Sequence, residues 1–248
     1  MPDTARNRGV AAVVLVSITL AFVLAGLTLN SLFVHSRNTA QLAQMSSQLL
    51  SRAELAVDYA VITLGDLMSA GVDTCGIDAP GILRESISRR GAIKNILVAD
   101  EFGNVLCSGL PTTDRVGTRS SQNSFHSRNQ TILLAKEDGD PNGVFQVIWR
   151  IGSGDRFIAT LNVDMLLFDV FPAEIRDRAQ ASISLGDMTE VAAFRTASRA
   201  DAASEPMFFG TKSERFPISV RLQVDASDVA SWNDQTRSLA AAIAGLLG

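Results

Sequence analysis

Cys75 and Cys107 are the only two cysteines in a chain of 248 residues. Cys107 closes an apolar run in Val105-Leu106-Cys107-Ser108-Gly109. Two thiols outside the cytosol are joined wherever geometry allows. A bond across this separation removes loop-closure entropy from the unfolded chain, worth roughly 3–4 kcal/mol in the chain-entropy model. Such a bond is a staple. A strained or exposed bond is also reducible, and the same pair then becomes a switch. Gly76 and Gly109 flank the thiols and leave the backbone room to rearrange. Spacing alone leaves both uses open.

Nothing else in the chain assembles into a reactive constellation. Ser108 has no Gly-x-Ser-x-Gly elbow around it and no histidine within motif distance, so it reads as a hydrogen-bonding serine at a strand end. His35 and His126 are the only two histidines and neither lies near a cysteine, so metal-ligand spacing is absent. His126, in Asn123-Ser124-Phe125-His126-Ser127-Arg128, reads as a loop residue. Asp138-Gly139-Asp140-Pro141-Asn142-Gly143 echoes a calcium loop but lacks the closing glutamate, and reads as a turn. Arg84, Glu85, Arg89 and Arg90 read as a solvated helix face. There is no phosphate-cradling glycine loop. The expectation is a segment with no catalytic residues, no cofactor and no metal.

The elements that would hold the thiols begin at the membrane. Gly9 to Val34 carries no charged side chain, and about 20 such residues cross a bilayer core. The stretch is longer than the apolar part of a cleaved signal peptide, roughly 7–15 residues. It reads as an uncleaved anchor. Arg6, Arg8 and the free amine, set against His35 and Arg37, keep the amino end cytoplasmic. Residues 1–36 are therefore expected to be the cytosolic N-terminus and transmembrane helix, and 37–237 the outer domain. Leu239 to Gly248 is again apolar, preceded by Trp232 in an interfacial position, so 238–248 reads as the start of a second membrane helix. Lys and Arg number 22 against 26 Asp and Glu, a formal net charge of −4 with no basic patch, which argues against a nucleic-acid partner.

From Asn38 to Ala70 the residues Leu42, Met45, Leu49, Ala53, Ala56, Ala60, Leu64 and Leu67 recur at gaps of three and four. That spacing predicts one long juxtamembrane helix with an apolar stripe packed on the domain's own sheet. Gly71 to Gly76 breaks it, and Pro80 opens a shorter helix running to Arg90. Ile93–Ala99 and Val105–Ser108 read as a hairpin around Asp100-Glu101-Phe102-Gly103-Asn104, with Cys107 on its second strand. Pro111 to Asn129 reads as loop. Strands are predicted at Thr131–Lys136, Val144–Ile151, Phe157–Val163, Gln180–Leu185 and Met188–Phe194, with Asp164 capping a short helix to Phe171. Ile218, Val220, Leu222 and Val224 alternate with polar residues as a half-buried strand. The fold class is α+β, an antiparallel sheet with short helices, covered on one face.

A first cysteine, a short helix of the Pro80-Gly81-Ile82-Leu83-Arg84 kind, and a hairpin ending in Cys107-Ser108 together resemble the CSS-motif sensor domain. The resemblance covers nearly the whole chain in layout, and its specific part is Cys75 to Leu110. Gly109 departs from it, since the family name implies serine there. The resemblance implies a PAS/Cache-like periplasmic domain between two helices of the bacterial inner membrane, ahead of a cytosolic EAL phosphodiesterase that hydrolyses cyclic di-GMP. It implies a disulfide between Cys75 and Cys107 that restrains the enzyme, with the free thiols releasing it. Periplasmic thiol–disulfide oxidoreductases and a second copy of the chain, in a homodimer, are the expected partners. The competing reading is a small-ligand sensor of a kinase or chemoreceptor with a merely structural disulfide. Its pocket would lie near Trp149, Arg150 and the Pro111–Asn129 loop and take a small anion.

Overall fold

The computed structural model describes residues 36, 39–112, 115–117, 119–127, 130–137, 144–152, 154–167, 170–171, 176, 179–186, 189–195 and 206–225. The expected anchor, the Asp138–Gly143 turn and the apolar C-terminus lie outside the described residues. Among those that are described, no helix is long and apolar enough to cross a membrane. From Ala43 onward the chain forms one compact unit.

Helix α1 covers residues 39–69. Its predicted stripe is buried from Leu49 to Leu67, and Leu50, Val57 and Val61 widen it. The extra width suits a helix lying on sheets, because a narrow seam serves only a coiled coil. Gly71 ends α1 with φ +72°, a left-handed conformation that favours glycine, and its N–H donates to the Met68 carbonyl at 3.0 Å. A 3-10 turn, Val72–Thr74, leads into Cys75. Helix α2, Ala79–Ser88, has its proline in the first turn as predicted.

The strands form two antiparallel sheets where one was expected. The first has six strands in the order β2-β1-β6-β5-β4-β3. They are β1 Ile93–Ala99, β2 Val105–Ser108, β3 Arg119–Ser127, β4 Gln130–Glu137, β5 Val144–Arg150 and β6 Arg156–Leu161. The second has four, in the order β8-β7-β10-β9. They are β7 Ala179–Leu185, β8 Thr189–Arg195, β9 Pro206–Lys212 and β10 Ile218–Asp225. Between the sheets comes the short helix α3, Val163–Leu167.

The first sheet is covered on both faces, which corrects the expectation of one. Against one face lies α1, close enough that a Cβ on Gly65 would sit 3.4 Å from the Trp149 ring. On the other, Leu97, Ala99, Ala135, Ile148 and Ile158 form a core cluster with Val105, Val116 and Leu133 packed against it. The second sheet keeps the one-sided pattern: every second residue of β7 and β10 is buried, and those between are half-buried or, at Arg221, exposed. Each fully buried Leu, Ile or Val of β10 contributes roughly 1.5–3 kcal/mol. Polar links tie this sheet to the middle of α1. The Ser46 and Thr211 hydroxyls meet at 2.7 Å, Ser213 Oγ donates to Glu54, and Arg215 donates to Asp58 at 3.0 Å.

Three further expectations are corrected. Residues read as loop from Pro111 to Asn129 include strand β3, and His126 is an exposed strand residue. The sequence Arg-Ser-Ser-Gln-Asn-Ser-Phe-His-Ser has no apolar alternation because β3 is the sheet's edge strand, and edges are kept polar. β9 was invisible for a similar reason, since none of its residues is buried. The cap of α3 is Asn162, whose Oδ1 accepts from the Met165 N–H at 3.4 Å, and Asp164 already lies inside the helix. β3 also meets the second sheet. Phe125 packs edge-on against Phe216 with ring centroids 5.0 Å apart, and Asn123 leaves no room for a side chain on Gly186.

Candidate functional site

Cys75 and Cys107 are joined, with S–S 2.01 Å and Cα–Cα 5.7 Å. The bond ties the segment leaving α1 to the edge strand β2, where Cys107 pairs in register with Val98 of β1. Both cysteines are half-buried, so neither is sealed from a reductant in solution. Cys75 has φ +49°, the only positive φ at a non-glycine residue among those described. For a residue with a Cβ that conformation costs roughly 1–2 kcal/mol. It is held at this end of the 3-10 turn by its N–H, which donates to the Val72 carbonyl at 3.1 Å, and by the bond itself. Gly76 beside it has open space around its Cα.

Gly109 plays another part than the backbone freedom expected of it. A Cβ there would lie 2.6 Å from Ile87 Cδ1 and 3.0 Å from the Leu83 carbonyl carbon. Helix α2 rests directly on this glycine. Arg84 Nε donates to the Gly109 carbonyl at 3.2 Å, and the Gly109 N–H donates to the Ile96 carbonyl at 2.9 Å. A serine side chain at this position would force Ile87 and the backbone of α2 to shift. The arginines in and just after α2 are correspondingly more than a solvated face. Arg84 is this tether, and Arg90 lies over the Tyr59 ring of α1 at 5.4 Å, while Arg89 pairs with Glu85 in solvent.

Ser108 is a hydrogen-bonding strand-end serine, as its context implied. Its hydroxyl donates to the Leu110 carbonyl at 2.7 Å and accepts from Asn95 Nδ2 at 3.2 Å. Asn95 Oδ1 in turn accepts from the Ile96 and Leu110 N–H groups, at 2.9 and 3.2 Å. One amide side chain thus fixes the start of the segment that leaves β2 and crosses the sheet. That segment is pinned again at the β1–β2 turn. Arg115 Nε donates to Asn104 Oδ1 at 3.1 Å, and Val116 N–H donates to the Gly103 carbonyl at 2.9 Å. The Asn104 amide donates to Asp100 at 2.6 Å, and this bond, with the backbone N–H groups of the turn, holds the Asp100 carboxyl below its usual range.

Between this segment and the sheet lies a cavity of about 250 Å³. Lys94, Asn95, Gln146, Thr160, Arg115 and Leu110 are among the residues lining it. It touches the start of the loop where a pocket was expected, but not Trp149 or Arg150. Trp149 points to the opposite face, against α1, and Arg150 is exposed at the strand end. The sequence reading missed these lining residues. Their signal was a polar residue interrupting an apolar strand, as Gln146 does in Val-Phe-Gln-Val-Ile-Trp. Among the described residues no group of three His, Cys, Asp or Glu could hold a metal ion.

No protein-family model and no curated protein matches the chain. Solved structures do resemble it. An extracellular domain assigned to a histidine kinase, rpHK1S-Z16, covers 77% of this chain and 97% of its own, at 14% identity and TM-score 0.43. A domain assigned to a sensory box/GGDEF family protein from Vibrio parahaemolyticus covers 78% of this chain and 99% of its own, at 10% identity and TM-score 0.44. The periplasmic domain of RsbU from Chlamydia trachomatis covers 77% and 98%, at 10% identity and TM-score 0.33.

Proposed function

We propose that this chain is the periplasmic input domain of a membrane-anchored signalling protein, and that the thiol–disulfide state of Cys75 and Cys107 is its signal. The observation that carries the reading is the placement of the bond. It joins the end of the long helix to the sheet's edge strand, is half-buried, and holds Cys75 in a left-handed conformation. Breaking it frees that residue to relax and uncouples α1 from β2. A bond transmits a signal only if it favours one arrangement of its surroundings over another, and the left-handed turn at Cys75 supports that reading. Following the CSS-motif resemblance, the output is a cytosolic EAL phosphodiesterase, restrained by the disulfide and released by the thiols, in a homodimer.

The test is cellular cyclic di-GMP in strains carrying the full-length protein with Cys75→Ser or Cys107→Ser. At equal protein abundance cyclic di-GMP should fall in both. An unchanged level would reduce the pair to a staple.

A further inference from the structure

The two sulfurs of the Cys75–Cys107 bond are not equivalent to an incoming thiol. Cys75 lies in the short segment between the 3-10 turn and α2, where its neighbours Thr74, Gly76, Ile77 and Asp78 are all exposed. Cys107 lies within β2, in register with Val98 of β1. Side chains alternate along a strand, so Cys107 shares a face of β2 with position 109. That is the face on which α2 rests, with Ile87 and the Leu83 backbone against Gly109. One cysteine is therefore carried by a surface segment, the other by a strand paired with β1 and covered by α2 two residues on.

In thiol–disulfide exchange a thiolate attacks one sulfur while the other leaves, at a rate set in part by access to the attacked sulfur. The attacking sulfur approaches in line with the bond, from the side away from the leaving sulfur. It then stays attached, so the attacked cysteine must also accommodate a new substituent. The exposed segment around Cys75 meets both conditions. At Cys107 the approach comes from the side of β2, and the substituent would have to share the face of the strand that α2 covers.

We propose that an external thiol attacks Cys75 and that Cys107 is the leaving group. The order of bond opening matters only if the bond is reduced in service, and so rests on the redox role proposed for the pair. The thiolate bonds to Cys75 Sγ, the Cys75–Cys107 bond breaks, and its electron pair stays on Cys107 Sγ, which takes a proton from solvent. With a dithiol reductant, the second thiolate then attacks the reductant's own sulfur in the mixed disulfide. Cys75 leaves as a thiolate and is protonated, and the reductant departs as a disulfide. Two electrons pass from the reductant to the cysteine pair, and the covalent intermediate is carried by the segment that leaves α1.

The experiment uses the purified full chain with its disulfide intact and glutathione as the thiol. The reaction is stopped early with acid, free thiols are blocked with N-ethylmaleimide, and the adducts are mapped by peptide mass spectrometry. Glutathione should be found on Cys75 and maleimide on Cys107, in an excess of roughly tenfold or more over the reverse arrangement. In denaturant, where α2 and β1 no longer flank Cys107, the excess should shrink to about twofold or less. An equal or reversed distribution in the folded chain overturns the proposal while leaving the bond reducible. An undiminished preference in the denatured chain also overturns it, by placing the cause in local sequence. No adduct on either cysteine overturns it together with the redox role.

Discussion

In the six-stranded sheet β1, β5 and β6 bury side chains on both faces, whereas in the four-stranded sheet β7 and β10 bury every second residue. The disulfide and the cation-lined cavity both belong to the first sheet. A groove of about 230 Å³ on the second is lined by both Glu190 and Arg221. The second sheet is bound instead to the middle of α1 through Ser46, Glu54 and Asp58. The difference separates two attachments along one helix: the first sheet is bonded to the segment that leaves the far end of α1, and the second is tied to α1 nearer the amino end.

The comparison breaks most readily at the disulfide. Losing it through Cys107→Ser opens a loop of 32 residues and should lower stability by roughly 3–4 kcal/mol in the chain-entropy model, read by urea denaturation. Leu222→Ala, in the buried row of β10, should cost about 3 kcal/mol. It should nevertheless leave the rate of Cys75–Cys107 reduction by dithiothreitol unchanged under native conditions. A large change in that rate would mean that the two sheets do not divide the work. Gly109→Ser should cost about 2 kcal/mol by overpacking against Leu83 and Ile87, and should speed reduction by displacing α2.

Smaller effects sharpen the same contrast. Arg215→Ala removes a partly exposed ion pair with Asp58 and should cost less than about 1 kcal/mol, less still at high salt. The Asp100 carboxyl is held below its ordinary value of 3.8 in the folded chain. Its contribution is therefore complete above that pH and disappears as the pH falls through the lowered value. In Asp100→Asn, amide exchange of the β1–β2 turn should lose this acid dependence, while the second sheet is unaffected.

How legible each region was follows from the same burial. The hairpin β1–β2 and strand β10 were read to within a residue, because apolar runs and strict alternation report directly on burial. β3 and β9 could not be seen, since an edge strand is held by backbone hydrogen bonds that leave no trace in side-chain pattern. That blindness merged two sheets into one. The cysteines were identifiable from residue type alone, and their bond joins the two elements expected. The cavity was displaced, because Trp149 stood out as a large aromatic residue while Gln146 and Asn95 looked like interruptions. Gly109 was misread as flexible for want of any sequence signal that α2 rests on it.

The central claim is that the Cys75–Cys107 bond is poised for reduction. Its midpoint potential can be measured by thiol alkylation of the full chain equilibrated across glutathione redox buffers. The account predicts a value of about −250 mV or higher, within the working range of thiol–disulfide oxidoreductases. A value below roughly −300 mV, where structural disulfides of exported proteins lie, would contradict it.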